Sequence, residues 1–181
     1  MDTSGSYARF IEPIEDQMIG VIWRVLRDPD ESDDALQDAL TKIWGKRTVF
    51  GHPNPKALIL RICINSAYDT LRRRAKHRRD QQVLREHATD QAGPSGASGV
   101  PVLSGGDVLV EEELRQQIMD QIADLPRNQA VAALMRLVDR MPYADIAQAL
   151  GCSETTARVH VTRGRTRLRE RLSHLNPTSK G

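Results

Sequence analysis

Between Thr89 and Asp107 the chain reads TDQAGPSGASGVPVLSGGD, with five glycines, two prolines and three serines and no sustained apolar period. A stretch of this composition behaves as a flexible connector rather than as an element with fixed geometry. It divides the 181 residues into a first half, 1–88, and a second half, 108–181, with 89–107 as the linker. Each half is small enough that only one compact bundle is expected from it.

Outside the linker the apolar residues recur at helical spacings of three and four. Phe10, Ile14, Met18, Val21, Ile22 and Val25 give the first such run, and no segment shows the alternation of a strand. A second helix is expected from near Ser32, with Leu36, Leu40 and Ile43 inward and Asp33, Asp34 and Asp38 outward. A third begins at Asn54-Pro55, an N-cap residue followed by the residue best tolerated in a first turn, and runs on through a basic block. In the second half, Leu114, Ile118, Ile122 and Leu125 follow an acidic start at Glu111 to Glu113. Three shorter helices are then expected over Gln129–Arg140, Pro142–Leu150 and Ser153–Leu172. The expected fold is all-α: two small helical domains joined by a flexible Gly/Ser/Pro-rich linker.

A composition of 39% hydrophobic and 28% charged residues excludes a wholly disordered or fibrous chain. No uncharged apolar run approaches bilayer length, so no membrane insertion and a cytoplasmic location are expected. Cys63 and Cys152 lie far apart and outside any metal-ligand spacing, which argues for neither a disulfide scaffold nor a metal site. No cofactor is implied.

The net charge of +2 conceals strong segregation. Asp28 to Asp38 holds six acids and no base, whereas Leu71 to Arg79 holds six bases and no acid. On the third helix Asn65, Asp69, Arg72 and Lys76 fall on one stripe, widened by Arg73, Arg74, Arg78 and Arg79, and the natural complement of such a stripe is a row of phosphates. The acidic block would repel nucleic acid and steer a basic protein surface instead. The first half is thus expected to show two opposed faces. Six of the seven aromatic residues lie there: Phe10, Trp23 and Trp44 read most simply as core, and Phe50, in the loop from Gly45 to Asn54, is available to stack on an unpaired base.

The strongest local pattern is YADIAQALGCSETTARV over residues 143–159, which meets the steric requirements of a helix-turn-helix. Ile146 and Leu150 face the core, Ala147 permits close helix approach, Gly151 permits a left-handed turn and Ser153 caps the next helix. In that helix Ala157, Val161, Gly164 and Leu168 form the inner stripe. Its outer side presents Thr155, Arg158, Thr162 and Arg165, with Arg163 among the flanking cations, a set suited to phosphates and base edges in a major groove.

Taken together, ESDDALQDALTKIW (31–44), RICINSAYDTLRR (61–73) and Leu125-Pro126 followed by the helix-turn-helix resemble a bacterial sigma factor of the extracytoplasmic-function type. The resemblance implies a non-enzymatic promoter-specificity subunit that binds core RNA polymerase and directs promoter recognition, DNA melting and transcription initiation. It implies that Asp33, Asp34, Leu36, Gln37 and Asp38 grip the clamp coiled coil of the polymerase. Minus-ten recognition and melting would fall to Phe50, Asn65, Asp69, Arg72, Arg73, Arg74 and Lys76. Glu154, Thr155, Thr156, Arg158, Thr162, Arg163 and Arg165 would read the minus-thirty-five element, with the second half docked on the flap. Promoter DNA and core polymerase are the implied partners, and an anti-sigma factor is an optional third. The alternative reading is an autonomous helix-turn-helix regulator that binds an operator as a dimer; a metal-dependent nuclease or recombinase using the acidic cluster finds no completing carboxylates elsewhere.

Overall fold

The computed structural model describes residues 3–89 and 106–173. Eight helices follow one another: α1 (Thr3–Phe10), α2 (Glu15–Leu26), α3 (Pro29–Gly45) and α4 (Pro55–Thr89), then α5 (Gly106–Ala123), α6 (Arg127–Leu137), α7 (Tyr143–Leu150) and α8 (Glu154–Arg171). There is no strand among the described residues, so the expected all-helical class holds. Most of the expected linker, residues 90–105, lies outside them.

The helix starts follow local chemistry. The expected first helix is interrupted by a short 3-10 turn, Glu12–Ile14, because Pro13 cannot donate to the preceding turn. Helix α3 begins earlier than its apolar period suggests: Asp28 accepts from the Glu31 amide at 2.8 Å and Pro29 follows it, so the cap lies four residues ahead of Ser32. Asn54 caps α4 as expected, its Oδ1 accepting from the Ala57 amide at 3.0 Å. Gly151, at φ +66°, ends α7, and Ser153 opens α8 by accepting from the Thr156 amide at 3.1 Å.

In the first half α2 and α3 pack on α4 and bury Met18, Ile22, Ile43, Ile59, Leu60 and Leu71. In the second half α6 and α7 pack on α8 through Leu134, Met135, Ile146, Val161 and Leu168. Cys63 is buried, and burial pushes its thiol up to about 12, far from the thiolate a reactive cysteine needs. Two residues expected inside are not there: Trp23 is 40% exposed and Leu114 is 43% exposed. Trp23 lies on the outer side of α2, whose inner side is filled by Val21, Ile22, Val25 and Leu26, and Leu114 precedes the part of α5 that is buried, Met119, Ile122 and Ala123.

The two halves also pack against each other, α5, α6 and α7 all touching the long α4. Across this contact Arg61 of α4 donates to the Ala149 carbonyl and Asn54 to Asp145. Farther along, Arg24 of α2 pairs with Asp139 at 2.6 Å, while Gln17 donates to the same carboxylate at 3.4 Å. Burial raises the pKa of Asp139, outweighing the opposing charge of Arg24 and the hydrogen bonds from Gln17 and Arg24. A carboxyl raised in this way stabilises the fold below its unfolded value, and that stability is lost as pH rises through the folded value. At neutral pH the buried charge therefore carries a net cost. Asp139→Asn keeps an acceptor for Arg24 and turns its amide nitrogen toward Gln17, whose side-chain amide flips to accept from it; the charge is removed, and Arg24 is exposed enough to be hydrated on its own. The variant is expected to match the parent at neutral pH, or exceed it by up to about 1 kcal/mol, and to lose the parent's relative gain on acidification. Urea melts at two pH values test this; a neutral-pH loss above about 1 kcal/mol would show that the ion pair is net stabilising.

Candidate nucleic-acid interface

Helices α3 and α4 run side by side with an open groove of about 910 Å³ between their outer edges. Asp34, Gln37 and Asp38 line one wall; Asp69, Arg72, Arg73 and Lys76 line the other. The acidic and basic blocks are therefore facing walls of one groove rather than opposed faces of the bundle. Lys42 bridges them, bonding Asp38 at 2.6 Å and lying 3.9 Å from Asp69. Burial works to raise the pKa of Asp38, but hydrogen bonds from Lys42 and Ser66 and the charges of Lys42 and Arg73 prevail and hold it below its ordinary value. Asp33, Asp34, Gln37 and Asp38 are exposed, while Leu36 is half-buried against the core.

The basic block does not act as one stripe. Ala75 and Leu71 point inward, so the cations fan out on both sides of them. Arg72, Arg73 and Lys76 are exposed toward the groove. Arg74 turns the other way, pairing with Glu31 at 2.8 Å and donating to the Leu26 carbonyl at 3.4 Å, which takes it out of the groove and makes it a strut between α3 and α4. Arg78 pairs with Asp120, and Arg79 pairs with Asp124 at 2.6 Å.

The second half covers one end of this surface, a feature absent from the sequence reading. Arg127 pairs with Asp69 and lies 3.4 Å from the Asn65 side chain, and its guanidinium sits over the Tyr68 ring. The i, i+4 spacing of Asp120 and Asp124 was the available signal, since it places two carboxylates where two arginines of α4 meet them. Phe50 is half-buried, its ring 5.3 Å from Phe10 and 5.5 Å from Trp44, so it anchors its loop to the core instead of standing free.

Helix α8 presents a second polar surface. Ala157, Val161, Gly164 and Leu168 are buried as their spacing predicts. Glu154, Thr155, Thr156, Arg158, Thr162, Arg163 and Arg165 are all exposed along its outer side. Glu154 pairs with Arg158, whose guanidinium stacks over Tyr143 at 4.3 Å. Hydroxyls and guanidinium groups at the start of an exposed helix, following a tight turn, form the geometry with which helix-turn-helix proteins enter a major groove. No helix among the described residues is long and apolar enough to cross a membrane.

Comparison with known proteins finds two family matches. Residues 10–77 match the family Sigma-70 region 2, and residues 115–168 match Sigma-70 region 4. The RNA polymerase sigma-H factor of Pseudomonas aeruginosa is 26% identical over 160 residues, covering 88% of this chain and 82% of that protein. The ECF RNA polymerase sigma factor SigK of Mycolicibacterium vanbaalenii is 27% identical over 173 residues, covering 92% and 82%. The RNA polymerase sigma-E factor of Streptomyces coelicolor is 25% identical over 167 residues, covering 92% and 85%. Among solved structures, the sigma factor RpoE from Bartonella quintana, in complex with the anti-sigma factor NepR, shares the fold with a TM-score of 0.50 and 23% identity, covering 92% of this chain and 96% of that one.

Proposed function

Because the chain belongs to the sigma-70 family, among its extracytoplasmic-function members, we propose that it binds core RNA polymerase in the cytoplasm and directs it to promoters, without a catalytic step of its own. The observation that carries this reading is the groove between α3 and α4, where a wall fit for a basic protein surface faces a wall fit for phosphates. Asp33, Asp34, Leu36, Gln37 and Asp38 hold the polymerase. Asn65, Asp69, Arg72, Arg73 and Lys76 engage the strand that separates at the minus-ten element, their cations offsetting part of the few kcal/mol that unstacking a base requires. Residues Glu154 to Arg165 of α8 enter the major groove at the minus-thirty-five element. Arg127, Asp120 and Asp124 occupy the far end of the basic surface while the halves are closed, so full engagement of the opened duplex goes with their separation. The operator-binding regulator is not favoured, because the relatives are sigma factors.

The test is co-migration of the purified chain with core RNA polymerase on size exclusion, beside a variant carrying Asp34→Ala, Gln37→Ala and Asp38→Ala. All three side chains are exposed, so the fold survives their loss. The parent is expected to co-migrate and the variant to bind at least about tenfold more weakly, equivalent to about 1.4 kcal/mol. A parent that does not bind defeats the functional reading. Equal binding by both forms defeats the assignment of the α3 wall.

A further inference from the structure

Lys42 is the only cation of α3, and neither wall of the groove explains it. It stands on the acidic wall among Asp34, Gln37, Asp38 and Thr41, where its charge would repel the basic surface that this wall suits. Its ammonium is spread over three oxygens, 2.6 Å from Asp38 Oδ2, 3.3 Å from the Ser66 hydroxyl and 3.9 Å from Asp69 Oδ2. Asp38 is thereby drawn into the groove, its charge taken up before any partner arrives. Asp34, one turn earlier, has no such cation among the described residues. Arg73, which also lines the groove, is turned away to donate to the Thr70 hydroxyl at 3.0 Å.

Asp69 is claimed from two sides. Arg127, the first residue of α6, pairs with it, lies over the Tyr68 ring and sets one guanidinium nitrogen 3.4 Å from the same Oδ2 atom that Lys42 approaches. Asp38, Lys42, Asp69 and Arg127 thus form a row of alternating charge, from the acidic wall to the second half. Partners in such a row are not independent. Two cations that share a carboxylate repel one another, so whatever brings Lys42 closer to Asp69 loosens Arg127. Lysine is suited to that move, being a point charge on a flexible four-carbon stem.

We propose that Lys42 couples polymerase binding to release of the second half: a basic polymerase surface that takes Asp38 frees Lys42, which moves onto Asp69 and weakens the hold of Arg127. The proposal deepens, and rests on, the reading of the α3 wall as the polymerase site. Lys42 is a positioning residue in this scheme, acting through Asp38 and Asp69. Coupling of this kind is reciprocal, so loosening Arg127 strengthens polymerase binding by the same factor. The four side chains are between 34% and 49% exposed, so water screens the row and limits that factor to about two- to fivefold.

The experiment is a double-mutant cycle on the full chain, reading its dissociation constant for bacterial core RNA polymerase, with circular dichroism melts to establish that each variant is folded at the assay temperature. Lys42→Met keeps the stem and removes the charge, and is expected to bind as tightly as the parent or more so, because Asp38 is unmasked. Arg127→Ala leaves Asp69 to Lys42 and is expected to tighten binding about two- to fivefold in the parent, and not at all when Lys42→Met is present. Asp69→Asn gives the opposite sign. With no acid to receive it, Lys42 stays on Asp38, and binding is expected to weaken by a similar factor. Equal effects of Arg127→Ala with and without Lys42 overturn the coupling and leave the polymerase reading intact, as does tighter binding by Asp69→Asn, which would mean that separating the halves is what counts. Weaker binding by Lys42→Met overturns it in favour of a direct contact between Lys42 and the polymerase. A parent that does not bind defeats the coupling together with the reading of the α3 wall.

Discussion

Gly164→Val will strip α8 from α6 and cost the chain about 3 kcal/mol, the upper end of what overpacking a helix contact costs. Gly164 is buried where the two helices cross, and a Cβ there would stand 3.1 Å from the Gln129 carbonyl oxygen and 3.4 Å from the Ala133 Cβ. The first neighbour is backbone within α6, so it cannot swing aside as a side-chain end would. Alanine at 164 is the graded case: it gains up to about 1 kcal/mol of intrinsic helix preference over glycine but presses on that carbonyl, and a net loss of about 1 kcal/mol is expected. Valine adds two further methyl groups on the same side and forces Val161 and Leu168 away from their partners. For a chain of this size, about 3 kcal/mol corresponds to a fall of roughly 6–12 °C in thermal midpoint. Circular dichroism melts read the shift, and amide exchange should show early loss of protection in α6 and α8. A valine variant that melts within about 1 °C of the parent would mean that the helices slide past one another at little cost.

That crossing was legible in the sequence because it rests on local rules. The spacing of Ala157, Val161, Gly164 and Leu168 defines the inner stripe of α8 before any partner is known, and Gly151 and Ser153 mark its entry by their own backbone chemistry. The cap of α3 is equally local and lies at Asp28-Pro29, four residues ahead of Ser32, which is itself inside the helix and buried. Side-chain destinations that depend on distant partners were not legible. Consecutive residues of a helix are rotated by about 100°, so a run of six cations spreads over both exposed flanks. Which flank meets Glu31, Asp120 or open solvent is decided by α3 and α5, not by the run itself. Phe50 illustrates the same limit, since its loop reads as exposed until Phe10 and Trp44 are brought to it. The groove reads as two separate faces in the sequence, which shows charge sign along each helix but not the angle at which α3 and α4 meet. Contact between the halves was the least legible feature, because a connector of that composition is compatible with many arrangements.

The joint between the halves turns on Tyr68, and its removal is the other large effect. Tyr68 is 1% exposed, on the face of α4 that meets the second half. Its hydroxyl lies 2.8 Å from the Leu125 carbonyl oxygen and 3.2 Å from that of Ala123, one proton serving both acceptors where α5 ends. Tyr68→Ala removes a ring packed on all sides and opens a cavity, for an expected loss of about 3–5 kcal/mol. Tyr68→Phe keeps the ring and leaves the carbonyls without their donor, for about 1–3 kcal/mol. The difference between the two variants separates packing from hydrogen bonding, and faster amide exchange at the end of α5 in the phenylalanine variant would locate the loss at the joint. Burial raises the Tyr68 pKa against the lowering effect of Arg72 and Arg127, with Asp69 and Asp124 adding to the rise. A phenol raised in this way stabilises the fold below its unfolded value of about 10, and that stability is lost as pH climbs through the folded value. The phenylalanine variant should therefore show a shallower alkaline decline in stability than the parent. If it is as stable as the parent and declines identically, the hydroxyl contributes nothing and the halves are held by the ring and the surrounding ion pairs.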